Sequence, residues 1–148
     1  MNDTPNQRCG LVAVLGAPNA GKSTLVNALV GQKVAIVSPK AQTTRARLMG
    51  IAIDGTTQML LVDTPGIFTP HRRLDRAMVK AAWEGAEDAD RLVLVIDAAA
   101  KVGPRVEQVL EGLEMRTEKL FLVLNKVDIA KKEDLLLFAT KLLSLIHI

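Results

Sequence analysis

The chain has a single cysteine, Cys9, no tyrosine and only two histidines among its 148 residues. One thiol cannot form an internal disulfide, which excludes a disulfide-stapled scaffold and fits a reducing compartment. Cys9 itself reads as a small, partly buried residue entering the first strand. No run of about 18 apolar residues exists, so no segment reads as a membrane-spanning helix. The longest apolar-rich stretch, 135–148, is too short and is interrupted by Lys141. Residues 1–7 are polar and lack the basic and apolar regions of a secretory signal. A large excess of one sign of charge is also missing, with 19 basic and 16 acidic residues. A net charge of +3 permits an anionic partner without arguing for one. Internal repeats, low-complexity tracts and interdomain linkers are missing too.

What is present is an ordinary globular composition, 49% apolar and 24% charged, long enough for one domain with a real core. Short β-rich runs at 11–15, 48–53, 58–62, 91–96 and 120–124 recur between helix-like stretches. The runs at 91–96 and 120–124 are almost continuously apolar, as strands covered on both faces should be. Asp54-Gly55-Thr56-Thr57 reads as a hairpin turn, so one antiparallel pair is expected at the edge of a mainly parallel sheet. Helices are expected over 24–30, 74–89 and 104–115, the last with Pro104 near its start, and a fourth from Glu133 to Leu143. Trp83 and the methionines fall where core packing explains them. The alternation predicts a three-layer α/β fold.

The segment Gly16-Ala17-Pro18-Asn19-Ala20-Gly21-Lys22-Ser23 lies between the first strand and the first helix. This is the context in which GxxxxGK[ST] forms a phosphate-binding loop. Glycines let several N–H groups face one anion, and the helix N-terminus adds partial positive charge. Lys22 can reach the β- and γ-phosphates, and the Ser23 hydroxyl can ligate magnesium; Thr24 opens the helix beside them.

Other candidates fall at strand ends, where open α/β sheets bind ligands. Asp63-Thr64-Pro65-Gly66 follows the third strand. Asp63 can hold a magnesium shell through water, and the Gly66 backbone can approach a γ-phosphate. Asn125-Lys126-Val127-Asp128 follows the fifth strand. Ionised Asp128 can accept the two adjacent N–H donors of guanine, a pair that adenine lacks. Asn125 can brace the phosphate loop while the Lys126 stem packs over the base. In Ser38-Pro39-Lys40-Ala41-Gln42-Thr43-Thr44-Arg45, either threonine could close over the nucleotide and reach magnesium.

With these motifs in order the chain resembles the translation-factor-related GTPases, and more narrowly the Era family of bacterial Ras-like GTPases. The phosphate loop, the run from Gln32 to Arg45 with its Lys-Ala-Gln-Thr-Thr-Arg, and Val62-Asp63-Thr64-Pro65-Gly66-Ile67 carry the resemblance, which covers residues 9–141. It implies a Ras-like P-loop fold that binds and hydrolyses GTP with magnesium. Thr44 would be the switch threonine, and Asn19 would help hold a potassium ion that stands in for an arginine finger. Ile67 stands where Ras-like proteins have a water-orienting glutamine, which implies slow intrinsic turnover. His71, Arg72 and Arg73 would lie in the second switch.

The resemblance further implies a role in small-subunit ribosome maturation, with 16S rRNA as partner, a cytoplasmic location with peripheral inner-membrane association in some members, and a monomer. Era-like proteins continue into another strand and helix, a Ser-Ala base-contacting motif and an RNA-binding KH domain. The chain carries none of these, and Leu142–Ile148 differs from the family's continuation and, as a helix end, would expose apolar surface. The expectation is therefore a flexible 1–8 followed by a GTPase unit over 9–148, truncated or mis-joined at its C-terminus and missing its last strand and helix. Two rivals remain: a hydrolysis-incompetent fragment with weak or no nucleotide binding, motivated by the uncovered sheet edge, and an ATP-using P-loop enzyme, which Asp128 disfavours.

Overall fold

The structure, a computed structural model, describes residues 6–17, 19–30, 47–63, 88–100, 107 and 119–146. Five strands form one sheet: β1 (Arg8–Gly16), β2 (Arg47–Asp54), β3 (Thr57–Asp63), β4 (Arg91–Asp97) and β5 (Leu120–Asn125). Two helices belong to the described residues, α1 (Lys22–Val30) and α2 (Lys132–Ile146). The loop from Ser38 to Arg45 and residues 64–87, Gly66 among them, lie outside the described set. Of the helix expected over 74–89 only Asp88 and Ala89 are described, and neither is helical, while of that expected over 104–115 only Glu107 is described, and it is helical.

The strand order is β2-β3-β1-β4-β5. The β1·β3, β1·β4 and β4·β5 ladders are parallel, and β2 pairs antiparallel with β3 at one edge. The hairpin joining β2 to β3 turns through Gly55 at φ 57, with Asp54 facing Thr57 across the last pair. A positive φ at this point favours glycine because a side chain would crowd the backbone.

Alternation along the strands divides the core in two. Leu11, Ala13 and Leu15 of β1, Val62 of β3, and Leu92, Leu94 and Ile96 of β4 share one face with Phe138 and Leu142 of α2. Val12 and Val14 of β1, Leu61 of β3 and Val95 of β4 share the other with Leu25, Val26 and Val30 of α1. The expected helix–sheet–helix layering is therefore observed. Each fully buried leucine or valine contributes about 1.5–3 kcal/mol relative to exposure, so the two clusters hold the sheet between its helices. Met49 and Met59 pack against the α1-side cluster, as expected of core methionines.

Two expectations are corrected. Cys9 is exposed rather than partly buried, because the parallel ladder with β3 extends β1 back to Arg8, beyond the buried part of the strand. At the helix end the expected apolar exposure holds at Leu143 but fails at Leu142, which is buried. Leu142 packs with Phe138 in the cluster against the sheet, and Leu136 and Leu137 of the same helix are exposed.

Two contacts set the alignment that positions the site. The Leu11 N–H donates to the Asp90 carboxylate at 2.7 Å and the Asp90 N–H donates to the Leu11 carbonyl at 2.8 Å, anchoring β4 beside β1. In β2 the register with β3 shifts between Leu48 and Gly50. Gly50 then lies under α1, where a β-carbon would stand 2.7 Å from Val30 Cγ2.

Candidate functional site

β1, β3, β4 and β5 run parallel, so their carboxyl ends converge on one edge of the sheet, and each ends in a polar or conformationally special residue. β1 ends at Gly16, β3 at Asp63, β4 at Asp97 and β5 at Asn125. A β-carbon at Gly16 would come within 2.8 Å of the Val95 carbonyl and 3.0 Å of Lys22 Cγ. Glycine is what lets the chain leave β1 with the lysine stem folded over it.

The turn after β1 is closed by the Ala20 N–H donating to the Ala17 carbonyl at 3.1 Å. Asn19 and Gly21 both take positive φ, 68° and 99°, so the backbone curls before α1 begins at Lys22. The Leu25 N–H donates to the Gly21 carbonyl at 2.9 Å, the first turn of the helix. N–H groups of a helix's first turn lack partners within the helix and suit an anion. Lys22, Ser23 and Thr24 occupy that turn.

Lys22 Nζ donates to Asp63 Oδ1 at 3.1 Å, with both side chains about four-fifths buried. The ends of β1 and β3 thus meet across their ladder. Ser23 and Asp63 together line a cleft of about 240 Å³ whose other walls are Val26, Asn27, Leu48 and Met49. A hydroxyl and a carboxylate are hard oxygen donors, the kind magnesium takes. Among the described residues no group of three or more His, Cys, Asp or Glu side chains forms a cluster that could hold a metal.

β5 delivers Asn125 and Lys126 to the same loop from the other side. Asn125 Nδ2 donates to the Ala20 carbonyl at 2.9 Å, and Lys126 Nζ donates to the Asn19 carbonyl at 2.7 Å. The brace expected of Asn125 is present. Asp128 is exposed in the turn that follows, which the Ile129 N–H closes by donating to the Lys126 carbonyl at 3.2 Å. Thr44 and Gly66 lie outside the described residues.

Asp97 escaped the sequence reading. Its Oδ2 accepts from Lys126 Nζ at 2.8 Å and its Oδ1 accepts from the Ala99 N–H at 2.9 Å. The Lys126 hydrogen bond, aided by the Ala99 and Ala100 N–H groups and opposed by desolvation, holds its carboxyl below the usual carboxylate range. The available signal was an acid ending the strand between the two motif-bearing strands, at the sheet edge where ligands bind.

A model of the protein family described as 50S ribosome-binding GTPase matches residues 11–126. The chain belongs to that GTPase family. It is 66% identical over 139 residues to the GTPase Era of Erythrobacter litoralis, covering 91% of this chain and 46% of that protein. The chain spans about half the length of the curated relatives it matches. Among solved structures it resembles a variant of Aquifex aeolicus Era bound to GDP·AlF4−, at 38% identity and a TM-score of 0.68, covering 91% of this chain and 46% of that one. It also resembles Era in complex with MgGDPNP and nucleotides 1506–1542 of 16S ribosomal RNA, at 38% identity and a TM-score of 0.69, covering 92% and 47%. The mainly parallel sheet with one antiparallel edge pair is thus the Ras-like P-loop GTPase fold that the sequence led one to expect.

Proposed function

We propose that this chain binds GTP with magnesium and hydrolyses it, acting as a nucleotide-dependent switch. The observation that carries the reading is the pair of contacts joining Asn125 and Lys126 to the carbonyls of Ala20 and Asn19. They support reading the phosphate-binding motif and the guanine-reading motif as parts of one nucleotide site.

In this reading Gly16, Asn19, Ala20 and Gly21 shape the loop whose amides, with those of Lys22, Ser23 and Thr24, face the phosphates. The Lys22 ammonium turns from Asp63 to the β- and γ-phosphate oxygens, where negative charge grows as the bond to the γ-phosphorus breaks and water adds in line. Magnesium, when bound, neutralises charge on the phosphate oxygens; Ser23, Thr44 and, through water, Asp63 would hold it. Gly66 and Thr44 sense the γ-phosphate, and the loops that carry them order with GTP and relax after hydrolysis. Asp128 accepts the two guanine N–H donors, Asn125 reaches the base N7, and the Lys126 stem covers the ring. Asn19 would help hold a potassium ion, which would supply the positive charge that an arginine supplies elsewhere, and Ile67, unable to hydrogen-bond water, would leave its orientation to backbone, cation or bound solvent.

The domain this reading assigns is a GTPase unit over 9–148. Its partners are the small ribosomal subunit and 16S rRNA, supported by the similar Era structure that holds an rRNA segment. The single cysteine supports a cytoplasmic setting, and no helix among the described residues is long and apolar enough to cross a membrane.

The test is a magnesium-supported titration with fluorescent GDP, competed with GTP and ATP, followed by phosphate release from GTP in potassium and in sodium. Displacement by GTP but not ATP, with turnover faster in potassium, is the expected result. Equal displacement by ATP would overturn the guanine assignment, and tight binding without phosphate release would overturn the hydrolytic one.

A further inference from the structure

Lys126 is held in an uncommon backbone conformation, at φ 61. L-residues other than glycine, asparagine and aspartate seldom adopt it, so something must hold it there. The side chain reaches back across the sheet edge to the Asn19 carbonyl, and the same ammonium donates to Asp97 Oδ2.

Asp97 is itself locked on three sides. The β4·β5 ladder pairs it with Asn125, and the Ala98 N–H donates to the Asn125 carbonyl at 2.9 Å, carrying the strand contact one residue further. Its Oδ1 accepts from the Ala99 N–H, and its carbonyl accepts from the Ala100 N–H at 3.2 Å. That turn leaves Oδ2 aimed at Lys126. With Lys126 and Asp97 only 34% and 24% exposed, the pair is partly shielded from water, and a charge-assisted hydrogen bond between held partners is among the stronger ones.

We propose that Asp97 is a positioning residue of this site, which pins the Lys126 ammonium so that Lys126 ties the base-reading loop to the phosphate loop at Asn19. The proposal rests on the guanine-nucleotide reading of the site. With two acceptors engaging its ammonium, Lys126 presents its alkyl stem, not a mobile charge, to the base. Asn125 makes the parallel tie to Ala20, so the two loops are joined at consecutive residues on both sides. The Asp97 carboxylate accepts from the Ala99 N–H and the Lys126 ammonium and from no backbone group of either loop among the described residues, so its influence on the nucleotide passes through Lys126.

A carboxylate is required for this, because it offers an acceptor in both directions. An asparagine there that keeps its oxygen toward the Ala99 N–H would turn its NH2 toward the lysine, setting donor against donor. Asp97→Asn therefore preserves size and the Ala99 turn while breaking the link to Lys126.

The experiment measures dissociation of fluorescent GDP from the 148-residue chain and from its Asp97→Ala, Asp97→Asn, Lys126→Met and Asp97→Asn/Lys126→Met variants, each with a thermal melt. The expected result is GDP release about tenfold faster in every single variant, the size of a lost charge-assisted hydrogen bond. The double variant is expected to be no faster than Lys126→Met alone, which is the mark of acting through the lysine. Should Asp97→Ala melt early, Asp97→Asn carries the test. Release from Asp97→Asn at the unsubstituted rate, or losses that multiply in the double variant, would overturn the positioning role while leaving the guanine site standing. Failure of the unsubstituted chain to bind GDP would overturn the functional reading, and this proposal with it.

Discussion

The side-chain amide of Asn125 donates to the Ala20 carbonyl at 2.9 Å, joining residues 105 positions apart. Gly21 follows at φ 99, and a β-carbon there would overlap the Asn125 amide nitrogen. Gly21→Ala therefore meets backbone strain and a collision with the brace together. We expect a loss of about 2–4 kcal/mol in stability and GDP binding weakened by at least about tenfold, read by thermal melt and titration.

Lys22 and Asp63 meet at 3.1 Å at the edge of a cleft. Lys22→Met removes the only side-chain cation that the proposed function places on the phosphates. GTP turnover is expected to fall by about 10²–10³-fold, as when one transition-state donor is removed. Stability should fall by about 1–3 kcal/mol, because Asp63, about four-fifths buried, loses its partner. A single-turnover assay beside a melt separates the two effects.

Asp128→Asn exchanges an acceptor of two hydrogen bonds for a group with one acceptor and one donor face. GTP affinity is expected to drop by about 10²-fold or more, and a xanthine nucleotide, with a carbonyl where guanine has its amino group, should lose far less or gain. Competition between GTP and XTP for the variant reads this directly. An unchanged preference for GTP would remove Asp128 from the base.

Gly50 lies beneath α1, where a β-carbon would approach Val30 Cγ2 to 2.7 Å. Gly50→Ala must push α1 outward or tilt Val30 off its rotamer, at a cost of about 1–3 kcal/mol. Because α1 carries Lys22 and Ser23 at its start, a small loss of nucleotide affinity should accompany the lower melting temperature.

Acid should reveal Asp97. Its carboxyl is held below the usual range chiefly by the Lys126 hydrogen bond, so the folded pKa lies below the unfolded one. The stability it contributes is complete above the ordinary carboxylate pKa of about 3.9 and is lost as pH falls through the lower folded value. Asp97→Asn is expected to reduce stability at pH 7 and to narrow its difference from the unsubstituted chain steadily below about pH 4, measured by denaturant melts across pH.

Much of this molecule could be read along the chain. The five strands, the Gly55 turn and the layered fold follow from short apolar runs of strand length, nearly continuous in 91–96 and 120–124, separated by turn residues and helix-like stretches. The phosphate loop was legible locally as well: its glycines, lysine and serine are consecutive, and their chemistry needs no distant partner to be recognised. Cys9 and Leu142 were misjudged because burial at a strand's start and a helix's end depends on what packs alongside.

Only the tertiary structure decided which strand ends meet. The order β2-β3-β1-β4-β5 places Asp97 beside Lys126, 29 positions away, and sets Lys126 against Asn19, 107 positions away. An isolated aspartate after an apolar run has no local pattern that announces an ion pair. Its role comes from register, which is set by the packing of two sheet faces against two helices. Local chemistry thus specified the parts of the site, and long-range hydrogen bonds and burial determined which parts act on one another.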